Sequence, residues 1–131
     1  MQSSDGFTLC KEERLVGRKL VETLFKGGES RSMSYYPLRI VYCLVAREEA
    51  PVRILVSVPK RCFKRAVKRN RVKRQVREAY RLNKHLLDER MAALPDQTLA
   101  LAFVWQDDHL RNSEEVAQRV RSLLNRLSEK L

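Results

Sequence analysis

Cysteine and histidine are scarce in this 131-residue chain, which has three cysteines and two histidines. The cysteines are Cys10, Cys43 and Cys62, and no two of them have the two-residue separation common among zinc ligands. An odd number of scattered cysteines also argues against a disulfide framework and predicts free thiols in a reducing compartment. Cys43 lies in an apolar stretch, where we expect it to fill space in the core. The composition therefore predicts no metal site in the protein.

Long apolar runs are also missing. No stretch approaches the roughly 20 apolar residues that a membrane-spanning helix needs. Residues 1–9 lack the charged and apolar regions of a secretory signal. There is no internal repeat or low-complexity tract. We therefore expect one cytoplasmic domain over residues 1–131, with residues 1–10 flexible and with no membrane partner.

Acidic residues are almost absent from residues 60–84, which we call the basic segment. It contains twelve of the chain's 27 lysines and arginines but only one of its 16 acids, Glu78. The rest of the chain has fifteen basic and fifteen acidic residues, so the whole net charge of +11 belongs to the basic segment. Such a stretch would repel itself without a polyanionic partner. Binding to nucleic acid is therefore favoured over a merely solvated surface.

The hydrophobic pattern predicts an α+β fold, a sandwich of helices packed on a small mixed sheet. Glu29–Ser34 has the polar composition of a loop. The short charged turn between the first two strands suggests that they form an antiparallel hairpin. The predicted order is α-β-β-α-β-α: a helix at Lys11–Phe25, strands at Leu38–Val45 and Val52–Val58, a helix at Ala66–Leu87, a strand at Leu99–Trp105, and a last helix capped by Asn112 or Ser113.

The helix predicted within the basic segment is amphipathic. A helical projection gathers apolar residues on one side and polar ones on the other. The apolar side is needed for the core and bulky exposed aromatics are missing, so a membrane-surface helix is disfavoured. An asparagine among arginines suggests directional hydrogen bonding to a phosphate, a ribose hydroxyl or a water. The apolar side consists of Val72, Val76, Ala79, Leu86 and Leu87, and the polar side of Asn70, Arg74, Arg77 and Arg81.

Residues 66–78, AVKRNRVKRQVRE, closely resemble the RNR signature of the bacterial ribonuclease P protein family, A-V-x-R-N-R-x-K-R-x-x-R-E. Residues 56–61, VSVPKR, resemble the strand end and basic pair that precede the signature in that family. The resemblance covers most of the chain and implies that this surface meets RNA. The residues predicted to bind RNA are Lys60, Arg61, Lys64, Arg65, Lys68, Arg69, Asn70, Arg71, Lys73, Arg74, Arg77 and Arg81.

Similarity to this family implies a function. Ribonuclease P is an endonuclease that removes the 5′ leader from precursor tRNA, and in bacteria its catalytic subunit is an RNA. The protein subunit helps to bind the leader and supports the Mg²⁺ affinity of the RNA active site. The implied partners are ribonuclease P RNA and precursor tRNA, and the implied cofactor is Mg²⁺ bound mainly by the RNA. The family's fold, also found in a domain of a small-subunit ribosomal protein, has the same element order.

Two features of the chain depart from the family pattern. The stretch Cys62–Arg65, between the basic pair and the signature, is one residue longer than usual. Two aromatics of the first helix that face the leader in the family are replaced by leucines, which weakens stacking on bases. The candidates for the leader cleft are therefore Leu20, Leu24, Phe25, Tyr36 and Tyr42, although core packing is an equal alternative for Phe25 and Tyr42.

No protein residue is predicted to be catalytic. The acidic pairs Glu12–Glu13 and Asp107–Asp108 have the composition of exposed surface, and neither histidine stands in a recognisable catalytic arrangement. A structural RNA-binding protein of the ribosomal type would use the same electrostatics and is the alternative function. A DNA-binding protein is a third hypothesis, but helix-turn-helix spacing and zinc ligands are missing, so no DNA partner is expected.

Overall fold

The structure is a computed structural model that describes residues 30–47 and 49–131. The predicted helix Lys11–Phe25 and residues 1–10 lie outside the described residues. A four-stranded mixed sheet packs against helices, which confirms the α+β class. The elements are β1 (Arg31–Tyr35), β2 (Leu38–Ala46), β3 (Val52–Ser57), α1 (Ala66–Asn83), a 3-10 turn (Lys84–Leu87), α2 (Asp88–Ala92), β4 (Gln97–Trp105) and α3 (Ser113–Lys130).

The strand order is β1-β2-β4-β3, so the predicted β2–β3 hairpin is wrong. Strand β4 lies between them, antiparallel to β2 and parallel to β3. The burial pattern explains this order, because β4 is apolar on both faces and β3 alternates between buried and half-buried residues. A strand with two apolar faces is stable only in the middle of a sheet that is covered on both sides. The parallel pairing requires a crossover, which residues 58–96 provide.

Strand β1 occupies residues that were predicted to be a loop. Its side chains alternate between polar and apolar, which a short edge strand tolerates. Tyr35 pairs with Leu38 across a two-residue turn, and Met33 pairs with Ile40. Met33 and Tyr35 pack against the core, while Ser32 and Ser34 are exposed. The pairing partner, rather than the local composition, makes this stretch a strand.

The helices largely confirm the predictions, with one difference at the end of α1. The regular helix ends at Asn83 and continues as a 3-10 turn, in which Leu87 is buried and Leu86 half-buried. Asn112 is the N-cap of α3, and its side-chain oxygen accepts a hydrogen bond from the Glu115 amide at 2.8 Å. None of the described helices has both the length and the apolar character to cross a membrane.

The main core lies between one face of the sheet and helices α1 and α3. Phe103 and Leu101 of β4 are fully buried there, with Ile40 from β2 and Ile54 from β3 on either side. The opposite face carries a smaller apolar cluster formed by Val41, Cys43, Ala100 and Ala102. Cys43 is buried in this cluster, as its apolar surroundings in the sequence predicted. Helix α1 is therefore held on a rigid apolar base, which fixes the direction of its exposed face.

Candidate nucleic-acid interface

Helix α1 separates its residues as the projection predicted. Val72, Val76 and Ala79 are buried against the core, and the polar side faces outward. Tyr80 is also buried, a position that the projection did not assign. Its ring lies edge-on to the ring of Phe103, with centroids 6.1 Å apart. The sequence carried a signal for the burial of Tyr80, because this aromatic residue directly follows Ala79 on the buried side of the helix.

The side chains of most cations in the basic segment have no hydrogen bond or ion pair with any other described residue. They lie on the outer side of α1 and on the loop that precedes it, residues 59–65. No side chain or backbone group of the described residues occupies the N–H donors of these side chains, which can therefore bind an anion. The cations without a described partner are Lys60, Arg61, Lys64, Arg65, Lys68, Arg71, Lys73, Arg74 and Arg77.

Two of the predicted RNA-binding arginines are instead bonded within the protein. Arg69 Nη1 donates to the backbone carbonyls of Phe63 and Lys64, both at 2.8 Å. Arg81 forms an ion pair with Glu78, the single acid of the basic segment, one turn away on α1. The hydrogen bond from Arg81 lowers the pKa of Glu78. Both arginines still contribute positive charge to the surface, but part of their donor capacity is already used.

The loop of residues 59–65 is anchored by its middle residues. Phe63 is buried in the main core, and the Cys62 amide donates to the Pro59 carbonyl at 3.0 Å. The Cys62 thiol lies 3.7 Å from the Trp105 carbonyl, and burial raises its pKa. A tight turn and a buried phenylalanine thus hold the middle of the loop. The loop cations on either side of that anchor remain exposed.

The candidates for the leader cleft have different surroundings. Tyr42 is buried in the main core on the helix-covered face of β2, which favours the alternative of core packing for this residue. Tyr36 is 56% exposed at the turn between β1 and β2, with the Arg111 guanidinium 5.5 Å from its ring centroid. Desolvation of its hydroxyl and the nearby Asp107 carboxylate raise its pKa. Leu20, Leu24 and Phe25 lie outside the described residues.

Two arginines of α3 hold the β1–β2 turn in place, a contact that the sequence reasoning missed. The guanidinium carbons of Arg119 and Arg126 lie 4.3 Å and 5.2 Å from the ring centroid of Tyr35. Arg119 also donates to the Tyr36 carbonyl at 3.0 Å, and Arg126 to the Ser34 carbonyl at 3.3 Å. The sequence signal for this contact was the spacing of Arg119 and Arg126, which lie two helical turns apart on α3.

Comparison with known proteins identifies the family. The model of the family described as Ribonuclease P matches residues 9–128 of the chain. This chain belongs to the ribonuclease P protein family. It is 44% identical to the ribonuclease P protein component of Porphyromonas gingivalis, over 98% of this chain and 92% of the relative. The corresponding protein of Chlorobaculum tepidum is 36% identical, over 91% of this chain and 82% of the relative.

Solved structures of ribonuclease P proteins share the fold. The protein from Thermotoga maritima superposes with a TM-score of 0.66 at 21% identity, over 87% of this chain and 96% of that one. The protein from Staphylococcus aureus gives a TM-score of 0.67 at 17% identity, over 89% and 96%. Together with the family match, these results identify the chain as a protein component of the endonuclease ribonuclease P, whose partner is ribonuclease P RNA.

The described residues of this ribonuclease P protein do not offer a good Mg²⁺ site. Asp107, Asp108 and His109 have ligand atoms within 4.8 Å of one another. The Asp107 carboxylate, however, already accepts a hydrogen bond from Arg111 Nε at 3.0 Å and one from the His109 amide at 3.3 Å. Mg²⁺ prefers free oxygen ligands, and a carboxylate neutralised by an arginine is a poor one. This cluster instead ties the end of β4 to the start of α3.

The ion pair between Asp107 and Arg111 predicts a pH dependence of stability. Burial alone would raise the pKa of Asp107, but hydrogen bonds from Arg111 and His109 outweigh it and hold the pKa below its ordinary value. A carboxylate with a lowered pKa stabilises the fold above its unfolded pKa of about 3.9 and loses that contribution as the pH falls further. We expect Asp107→Asn to lower the free energy of unfolding at pH 7 and to lower it progressively less as the pH falls below the unfolded pKa.

Urea unfolding across that pH range would measure the effect. Asp108→Asn removes a carboxylate that is 70% exposed and serves as the control with the same change of charge. We expect it to change stability much less than Asp107→Asn. If Asp107→Asn lowers the free energy of unfolding by the same amount at pH 3 and at pH 7, the ion-pair explanation is contradicted.

Proposed function

We propose that the outer side of α1 and the adjoining loop of residues 59–65 bind ribonuclease P RNA. The observation that carries this proposal is the set of nine cations without a described partner, together with Asn70, on one continuous surface of a ribonuclease P protein. Because α1 buries Val72 and Val76 in the core, the side of the helix that carries its arginines is fixed toward the outside.

The chemistry of this surface matches an RNA backbone. Each guanidinium can grip two phosphate oxygens, and its binding releases condensed counterions from the RNA. Arg74 and Arg77 lie one turn apart on α1 and are both exposed. Asn70 lies one turn before Arg74 and offers an amide donor and an acceptor, which suit a ribose hydroxyl. The exposed Glu78–Arg81 pair would contribute least, because the acid offsets the charge of that arginine.

We further propose that the substrate is precursor tRNA, whose 5′ leader binds on a separate surface of the protein. Leu20, Leu24, Phe25 and Tyr36 remain the candidates for that surface, and the exposed ring of Tyr36 supports its part in it. Mg²⁺ would be bound mainly by the RNA subunit, where the scissile phosphodiester lies. The protein would work in the cytoplasm, where bacterial precursor tRNA is made and processed.

A reconstitution experiment tests this function. We would mix the protein with bacterial ribonuclease P RNA and a precursor tRNA at low Mg²⁺ and follow the release of the 5′ leader. We expect the protein to accelerate cleavage strongly, because it supplies leader contacts and lowers the Mg²⁺ requirement of the RNA. A ribosomal RNA fragment of similar length, offered as competitor, separates this function from general RNA binding. No acceleration, or equal affinity for the competitor, would favour the alternative of a structural RNA-binding protein.

A further inference from the structure

Arg69 contacts the protein backbone, whereas its neighbours on α1 point to solvent. Its Nη1 lies 2.8 Å from the carbonyl oxygens of both Phe63 and Lys64. The side chain of Arg71 is exposed and has no hydrogen bond with another described residue. The same residue type within one signature therefore has two different environments. Nη1 of the Arg69 guanidinium is therefore already hydrogen-bonded to the protein before any RNA binds.

The two carbonyls that Arg69 contacts belong to the loop of residues 59–65. Inside this loop, the backbone has one hydrogen bond, from the Cys62 amide to the Pro59 carbonyl. Arg65, the N-cap of α1, makes no side-chain capping bond, and the first turn of the helix has no acid. The Arg69 amide also donates to the Arg65 carbonyl at 3.3 Å, which fixes the end of the loop, so Phe63 and Lys64 are tied to α1 by the buried ring of Phe63 and by the Arg69 guanidinium.

We propose that Arg69 is a positioning residue for RNA binding, which holds this loop so that Lys64 and Arg65 are presented to phosphates. The inference rests on the proposed function of the surface. Lys64 and Arg65 are exposed and lie directly beside the two contacted carbonyls. A loop ordered in advance spares the entropy that binding would otherwise spend on ordering it.

The test separates the charge of Arg69 from its geometry. Arg69→Lys keeps the positive charge, but its side chain is one bond shorter and has no planar fork. Arg71→Lys is the matched control with the same chemical change. The double substitution Lys64→Ala/Arg65→Ala, which removes both loop cations, is then made in the wild-type, Arg69→Lys and Arg71→Lys proteins. Affinity for ribonuclease P RNA is then measured at several salt concentrations.

We expect the pair of alanine changes to flatten the salt dependence by about one unit of slope per lost contact in the wild-type and Arg71→Lys backgrounds. In the Arg69→Lys background the same changes should have little effect, because Lys64 and Arg65 are already displaced. Arg69→Lys should also speed hydrogen exchange at the Cys62 amide in the free protein, with the thermal midpoint unchanged. A merely structural role would lower that midpoint and leave the salt slope as it is.

Additive effects of Arg69→Lys and the alanine changes would overturn the proposal. So would free wild-type protein in which the Arg69 side-chain N–H groups exchange as fast as those of Arg71, and this measurement needs no variant. If wild-type protein does not bind ribonuclease P RNA at all, the proposed function fails. The hydrogen-exchange comparison would still report whether Arg69 holds the loop.

Discussion

Removing both Arg74 and Arg77 should weaken binding to ribonuclease P RNA by about 100-fold at moderate salt, since each charged hydrogen bond contributes roughly 1.5 kcal/mol or more. Both side chains are exposed on the outer side of α1, and neither has a hydrogen bond or ion pair with another described residue, so their removal breaks no such contact in the described part of the chain. The salt dependence should flatten by about 1.4 to 1.8 units of slope, the sum of two lost phosphate contacts. A filter-binding titration of Arg74→Ala/Arg77→Ala at four salt concentrations measures both quantities.

The control for this pair is a variant with the same loss of charge at a distance from the basic segment. Arg90 on α2 and Arg121 on α3 are exposed and have no hydrogen bond or ion pair with another described residue. Arg90→Ala/Arg121→Ala should bind with an unchanged salt slope and at most a few-fold lower affinity. If the two double variants behave alike, the net charge of the protein, and not the surface of α1, governs binding.

Replacing Phe103 by alanine should have the largest effect on stability, a loss of about 3–5 kcal/mol. Phe103 is fully buried in the central strand β4, and its ring meets that of Tyr80 on α1. Small domains have total stabilities of about 5–15 kcal/mol, so this variant would lose a large share of its stability and unfold at a clearly lower temperature. Because the ring holds α1 on the sheet without facing RNA, the folded fraction at low temperature should keep the wild-type salt slope.

Val104→Ala is the matched control, since Val104 is the next residue of β4 and is only half-buried on the opposite face. Urea unfolding should show a clearly smaller loss for this variant than for Phe103→Ala. A Phe103→Ala protein that is folded in the cold but has a flattened salt slope would show that the packing under α1 also shapes its RNA-binding side.

Local patterns in the sequence were sufficient for several features of this protein. The charge excess is found by counting charged residues along the chain, so residues 60–84 could be identified without a structure. The amphipathic character of α1 follows from helical periodicity, which correctly buried Val72, Val76 and Ala79. The Asn112 cap follows from a short-range preference. The RNR signature named the family that the comparisons then confirmed.

Features that depend on distant parts of the chain were missed or wrong. The β2–β3 hairpin was inferred from a short connection, but β4, which is apolar on both faces, lies between β2 and β3 in the sheet. Arg31–Tyr35 has a polar composition and becomes a strand only because β2 offers its edge. For Tyr42 the sequence left a cleft and the core as alternatives, because the side of the sheet on which a residue lies is decided by the strand register.

The sequence by itself determined which segment is cationic, that most of it is a helix with an apolar side, and which family the chain belongs to. These properties are set by residues within a few positions of one another. The tertiary structure alone decided the strand order, the burial of Tyr42 and the separation of Arg69 from the arginines that face solvent. A guanidinium has no fixed partner in a sequence. Whether it meets a phosphate or a backbone carbonyl depends on where the folded chain places the nearest oxygen.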